Sequence, residues 1–277
     1  MPSPLILGIE TSCDDTACAL VDGDGQVLAS VVSSQLAVHR PYGGVVPELA
    51  SREHLANWPQ VSAQALALAG VDLARVDAVA ATCGPGLVGS LLVGLSLGKA
   101  LAYALKRPFH AVHHLEGHLY SPFLRPPGEV AEAVPESFVG LVVSGGHTSL
   151  YHVSGDRVAT LAETRDDAMG EVFDKVGKRL GLPYPQGPRV DELAELGTAA
   201  ACPLPVASCG ASLDFSYSGL KTQALVALEQ LQRQGVDTAW HPQQEPPFAA
   251  PEIQAKAQRD SCSDGLVVQL EATLCDG

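Results

Sequence analysis

Twice along this chain an apolar strand and a tight turn open a set of further strands, and that repetition constrains the fold more than any other feature. Residues 5–9, 16–21 and 26–33 read as the first set, and the last two flank Asp22-Gly23-Asp24-Gly25, a strong hairpin signal. Residues 138–144, 148–153 and 158–164 read as the second set, with turns at Gly145-Gly146 and Gly155-Asp156. Two hairpin-led α/β halves imply a duplicated core with a cleft between them.

Between the two sets, a helical pattern runs from 48 to about 68, then a strand over 78–82, the turn Gly84-Pro85-Gly86 and a small-residue helix ending near 105. Gly89, Gly94 and Gly98 recur along that helix at a cost in helix propensity, which implies close backbone packing against a sheet. Residues 109–112 read as a short buried strand, and a helix opening at His114 completes a first domain over 5–130. Pro126, Pro127 and Pro135 mark a crossing to a second domain over 136–228. Beyond Glu229 the pattern gives way to Gln- and Pro-rich segments such as Pro242-Gln243-Gln244-Glu245-Pro246-Pro247, so 229–277 is read as a divergent tail.

A length of 277 residues with 46% hydrophobic and 5% aromatic content suits one large or two modest domains with aliphatic cores. The longest apolar stretch, 87–105, is broken by Gly89, Ser90, Gly94, Ser96, Gly98 and Lys99, so no membrane span is expected. Met1-Pro2-Ser3-Pro4 lacks the positive region of a secretion signal, and the expected location is cytoplasmic. Seven cysteines without a Cys-x-x-Cys pair fit reduced thiols. A net charge of −14 argues against this chain alone gripping a phosphate backbone, so a nucleic-acid substrate needs a local basic patch or a basic partner.

Three segments carry chemistry. His114 and His118 stand one helical turn apart on one face, where both rings reach a single metal ion; a solvated face with two chance histidines, or His114 satisfied inside the core with His118 outside, is the competing reading. Imidazole suits zinc, iron, copper or nickel, and two nitrogens are an incomplete shell. Glu116 is not placed as the base of a zinc protease, whose pattern has Glu directly after the first His, so a metalloprotease is disfavoured. Ser144-Gly145-Gly146-His147-Thr148 follows a strand at once. It can present backbone N–H groups to a phosphate, with the Ser144 and Thr148 hydroxyls added, or it is a tight turn needing glycine for positive φ. Glu10-Thr11-Ser12-Cys13-Asp14-Asp15-Thr16 gathers three acids in a turn between strands, a costly clustering unless a cation or substrate meets it. Mutual repulsion raising one pKa makes Asp14 or Asp15 a candidate proton acceptor.

Seven blocks, at 8–16, 42–52, 84–87, 113–118, 143–148, 173–175 and 214–222, resemble the TsaD family, the tRNA threonylcarbamoyladenosine synthases once described as glycoproteases. The resemblance covers 5 to about 226. It implies an α/β actin-like ATPase (ASKHA) fold of two ribonuclease-H-like lobes, the second incomplete here. The implied reaction moves a threonylcarbamoyl group from threonylcarbamoyl-AMP to N6 of the adenosine beside the anticodon, in tRNAs reading codons that start with A. It further implies a divalent metal, iron or zinc, on His114 and His118. Val142, Val143, Ser144, Gly145 and Gly146 would hold the adenylate, with Asp174, Gly187 and Asp191 on its nucleotide side. TsaB-like and TsaE-like proteins would be partners, and a threonylcarbamoyl-AMP synthase would supply the substrate.

Two departures stand out. Pro185-Gln186-Gly187-Pro188 replaces the family's Pro-Gly-Gly-Pro, an expected weakening of nucleotide binding. Recognisable motifs end after Thr222, and Asn57, in the first domain, is the only asparagine, so the family's nucleotide-contacting Asn is missing. Asp264 is the remaining candidate for the third metal ligand. A chain so altered is expected to fold poorly alone or to transfer slowly; a noncatalytic remnant that still binds family partners is the alternative reading.

Overall fold

The computed structural model describes residues 3–126, 129, 133–207 and 209–239. They divide into two compact units, one up to Val134 and the other from Pro135.

The first unit is built on a mixed five-stranded sheet. β1 (Leu5–Glu10), β2 (Asp15–Asp22) and β3 (Val27–Ser34) pair antiparallel; β4 (Ala78–Gly84) lies parallel to β1 and β5 (Phe109–His113) parallel to β4, giving the order β3-β2-β1-β4-β5. The Asp22–Gly25 turn closes as its residues dictate: the Asp22 carboxylate accepts the N–H groups of Asp24 and Gln26 at 2.9 Å, and Gly25 takes φ 81°. Alternation along β1 sends Leu5, Leu7 and Ile9 into a core shared with Leu20, Val31, Val76 and Val79. Each such side chain, fully buried, contributes roughly 1.5–3 kcal/mol.

Among the described residues four α-helices complete this unit: the single turn α1 (Leu36–His39), then α2 (Pro47–Ala69), α3 (Val88–Leu105) and α4 (His114–Tyr120). α2 buries Ala50, His54, Trp58, Val61 and Ala65, an i, i+4 stripe. α3 justifies its glycines. A Cβ on Gly98 would stand 2.8 Å from the Phe109 ring and 3.1 Å from Ala81 Cβ, and one on Gly94 would run into the Thr11 hydroxyl. Gly89 instead faces Ser51 of α2. The small and polar residues do not interrupt α3, so, contrary to expectation, one helix among the described residues is long and apolar enough by length and composition to cross a membrane. Its buried residues, Ser90, Leu91, Gly94, Gly98 and Ala102, include Gly98, which closes on the sheet, and Gly94, which closes on the turn after β1, and that packing offsets their poor propensity.

The second unit opens with an antiparallel meander, β6 (Ser137–Val143), β7 (Thr148–Ser154) and β8 (Arg157–Glu163), with β7 in the centre. The expectation of buried strands at 109–112 and 138–144 is corrected. Among the described residues β5 and β6 are edge strands with a hydrogen-bonded neighbour on one side only; β5 has no buried residue and β6 buries Val142 alone. An apolar run does not reveal whether its strand lies inside a sheet or at its margin.

Helices α5 (Met169–Arg179), α6 (Gln186–Glu195) and α7 (Ser218–Arg233) follow. α5 and α6 close at Gly177, where a Cβ would stand 2.6 Å from Gln186 Cβ. The α7 N-terminus is held from a distant loop: Asp166 accepts the N–H groups of Tyr217 and Ser218 at 2.7 and 3.1 Å and the hydroxyl of Ser218 at 2.8 Å. Arg233 ends this helix, so regular structure continues past the 229 at which the tail was expected to begin. Asp264 and the rest of the tail from 240 lie outside the described residues. Cys13, Cys18, Cys83, Cys202 and Cys209 are free thiols.

Candidate functional site

The first unit brings the histidine pair and the acid turn together. The Nε2 atoms of His114 and His118 converge to 3.1 Å, with the rings edge-on at 81°. Two nitrogens each about 2.0–2.1 Å from one metal ion lie roughly 2.9–3.4 Å apart at ordinary coordination angles, so the pair fits a shared ion. Glu116, on the same short helix, is exposed and takes no part.

Glu10 was read only as one member of an acid cluster, yet its carboxylate lies 3.2 Å from His114 Nδ1. The pairing assigns the proton to Nδ1 and leaves the Nε2 lone pair for a metal. Thr82 donates its hydroxyl to the same carboxylate at 2.5 Å, the Ser12 N–H donates to the other oxygen, and Ser12 Oγ lies 3.4 Å from the His114 ring. Burial alone would push the Glu10 carboxyl up; the His114 ring, Ser12 and Thr82 outweigh it and hold it at about 2. Among the described residues no third His, Cys, Asp or Glu joins a metal-holding group.

The acid turn runs from the end of β1 to the start of β2. Thr11 and Ser12 are buried, and the Thr11 hydroxyl donates to the Ser90 carbonyl at 2.8 Å. Asp14 and Asp15 are half-buried at its far side. Cys13 reaches the surface, but the atoms packed round its sulfur, and after them the Asp14 carboxylate, push its thiol up. That fits a cysteine outside the chemistry.

In the second unit the other candidates form one connected line. Val142 and Val143 end β6, and Ser144 to Gly146 turn the chain toward β7. The Ser144 and Thr148 side-chain oxygens each accept a backbone N–H: Ser144 Oγ that of His147 at 3.1 Å and Thr148 Oγ1 that of Met169 at 2.9 Å. The Ser144 carbonyl accepts the Gly170 N–H at 3.3 Å, which anchors the loop to the start of α5. Neither Gly145 nor Gly146 has positive φ, and a Cβ on Gly146 would meet nothing within 4 Å. Backbone conformation therefore does not demand these glycines.

Asp174 on α5 accepts the N–H groups of Gln186 and Gly187, both at 3.3 Å, and so caps α6. Burial pushes its carboxyl up, the two amides work the other way, and the Glu171 charge adds to the rise. Gln186, where a glycine was expected, is buried with its Cβ against Gly177. Asp191 is exposed on α6.

Residues 26–261 match the family described as TsaD: tRNA N6-adenosine threonylcarbamoyltransferase, and the chain belongs to that family. The match runs past about 226, where the resemblance was expected to end. A protein of that name from Pelobacter propionicus is 50% identical over 273 residues, 98% of this chain and 75% of its own length. Another, from Syntrophobacter fumaroxidans, is 54% identical over 228 residues, 82% of this chain and 66% of its own. The chain thus spans between about two thirds and three quarters of the length of these relatives. Among solved structures, the (R)-2-hydroxyglutaryl-CoA dehydratase component A of Acidaminococcus fermentans is a distant likeness. It has 13% identity and a TM-score of 0.42 over 98% of this chain and 78% of its own.

Proposed function

We propose that this chain transfers the threonylcarbamoyl group of threonylcarbamoyl-AMP to N6 of the adenosine beside the anticodon, in tRNAs reading codons that start with A. The family match over 26–261 is the observation that carries this reading. The proposed fold is the actin-like pair of ribonuclease-H-like lobes, the second incomplete, and the proposed location is the cytoplasm. TsaB-like and TsaE-like proteins are the proposed partners; with a net charge of −14, the chain needs one of them, or a local basic patch, to hold tRNA.

In this reading the adenine N6 forms a bond to the carbamoyl carbon, the bond from that carbon to the phosphate oxygen breaks, and AMP leaves with the electron pair. Asp14 or Asp15 orients the weakly nucleophilic amine and takes its proton. The backbone from Val142 to Gly146 holds the adenylate, with the N–H groups of Gly145 and Gly146 turned to its phosphate. Asp174 fixes the first turn of α6, and with it Gly187, on the nucleotide side, where Asp191 also stands. His114 and His118 would hold iron or zinc, which when bound supplies Lewis-acid stabilisation of developing negative charge. Glu10 keeps His114 in the tautomer this requires. Transfer slower than that of these relatives belongs to the proposal.

The test follows both products at once: AMP released and labelled threonine bound to unmodified tRNA, with partner proteins and enzymatically supplied threonylcarbamoyl-AMP. Equal amounts of the two support transfer. Folded protein that releases no AMP and modifies no tRNA overturns it and leaves the partner-binding remnant.

A further inference from the structure

Beneath the acid turn lies a closed chain of buried polar groups that the reaction does not use. His39 and His54 are 0% exposed and Gln35 is 1% exposed. His54 Nε2 lies 3.0 Å from the Cys13 carbonyl, an acceptor only, so this nitrogen carries the proton. His54 Nδ1 is then an acceptor, and it meets the Thr16 hydroxyl at 2.8 Å and Gln35 Nε2 at 3.1 Å. Gln35 Nε2 also donates to the Ala50 carbonyl at 3.3 Å, which orients the amide and turns its oxygen to His39 Nε2 at 3.1 Å. His39 Nδ1 completes the chain by accepting the Val46 N–H at 3.3 Å. Every donor faces an acceptor, and both rings share one tautomer.

The end of this chain is the functional turn. Three successive carbonyls there are gripped from three different elements. The Leu87 N–H holds that of Ser12 at 2.7 Å, His54 Nε2 holds that of Cys13 at 3.0 Å, and the Gln35 N–H holds that of Asp14 at 3.1 Å. Two of the grips are backbone; His54 is the side chain among them. It reaches the turn from the buried stripe of α2, which fixes its position through Ala50 and Trp58 on either side.

We infer that His54 is a positioning residue of the transfer reaction: its Nε2–H pins the Cys13 carbonyl and thereby sets the backbone that carries Asp14 and Asp15. This rests on the proposed role of those two aspartates. A misplacement on the order of 1 Å at a reacting group costs up to about 10²-fold in rate, so the pin acts on kcat and not on adenylate affinity.

The test compares His54→Gln with His54→Asn in the full chain. Gln extends an N–H donor as far as Nε2 does; Asn keeps a polar group near Nδ1 but ends short of Cys13. The expected result is a kcat for His54→Gln within about threefold of the parent, and a fall of about 30- to 100-fold for His54→Asn with KM for threonylcarbamoyl-AMP unchanged. A second readout is independent of activity: alkylation at Cys13, followed by mass spectrometry of its peptide, is expected to be several-fold faster in His54→Asn and near the parent in His54→Gln. Should His54→Asn fail to fold, Thr16→Val keeps the packing shape, removes the hydroxyl partner of Nδ1, and is expected to show the same changes in smaller degree. Equal losses in the Gln and Asn variants, or Cys13 labelling unchanged in His54→Asn, overturn the inference. Asp14→Asn and Asp15→Asn run alongside: full activity in both removes the catalytic role of the aspartates, while Cys13 labelling still decides whether His54 holds the turn.

Discussion

The carboxylate of Glu10 lies 3.2 Å from Nδ1 of His114 although 104 positions separate them in sequence. Three neighbouring strands produce the contact. β1 ends at Glu10, β4 contributes the Thr82 hydroxyl to the same carboxylate, and β5 hands the chain to α4 at His114. Parallel register brings the C-terminal ends of these strands side by side, where α/β sheets place their ligands.

Glu10→Ala is expected to weaken zinc or iron binding by about 10- to 100-fold, the usual cost of losing a carboxylate behind a histidine ligand. Equilibrium dialysis against either metal measures it. Affinity equal to the parent would mean that Glu10 does not orient His114.

Gly146→Ala separates a phosphate-holding loop from a mere turn. With no positive φ and nothing within 4 Å of the new Cβ, the variant is expected to melt within about 0.5 kcal/mol of the parent while KM for threonylcarbamoyl-AMP rises about tenfold. Parent-like KM would assign the loop to structure alone.

Gly98→Ala is the converse case, a change in packing. The added methyl meets the Phe109 ring and Ala81 at 2.8 and 3.1 Å, so a loss of about 1–3 kcal/mol is expected in the urea midpoint. An unchanged midpoint would show that α3 shifts freely on the sheet.

Acid is expected to loosen the start of α7. Burial raises the Asp166 carboxyl, but the Ser216 and Ser218 hydroxyls and the N–H groups of Tyr217 and Ser218 outweigh it and hold the group at about 2. An unfolded Asp titrates near about 4, so the folded chain binds fewer protons between these values; the stabilisation is complete above pH of about 4 and is lost as pH falls toward about 2. Hydrogen exchange of the Tyr217 and Ser218 amides across that window reads it. Asp166→Ala, at a cost of about 1 kcal/mol, is expected to show the low-pH behaviour already at pH 5.

Much of the architecture was legible because local chemistry settled it. Asp22 and Gly25 marked the first hairpin, Gly98 of α3 announced its close approach to the sheet while Gly89 and Gly94 meet α2 and the turn after β1 instead, and the i, i+4 spacing placed both histidines on one face. The burial of β5 and β6 was misread because the place of a strand in its sheet is a long-range property. The partner of Glu10 was hidden for the same reason. His54 did carry a signal: it falls in the stripe of Ala50, Trp58 and Val61, so a polar residue occupied a core position that demands internal hydrogen bonds. The Met169 N–H donated to the Thr148 oxygen was hidden too, because the sequence does not show that the start of α5 comes back to this loop.

The most direct test of the central claim is single-turnover transfer of labelled threonine from threonylcarbamoyl-AMP to unmodified tRNA, with partner proteins present, by the parent chain and by His114→Ala at matched metal supply. The account predicts modified tRNA with the parent and at least a 10²-fold loss with His114→Ala, since the variant removes one of the two metal-holding nitrogens. Equal transfer by both chains would contradict it.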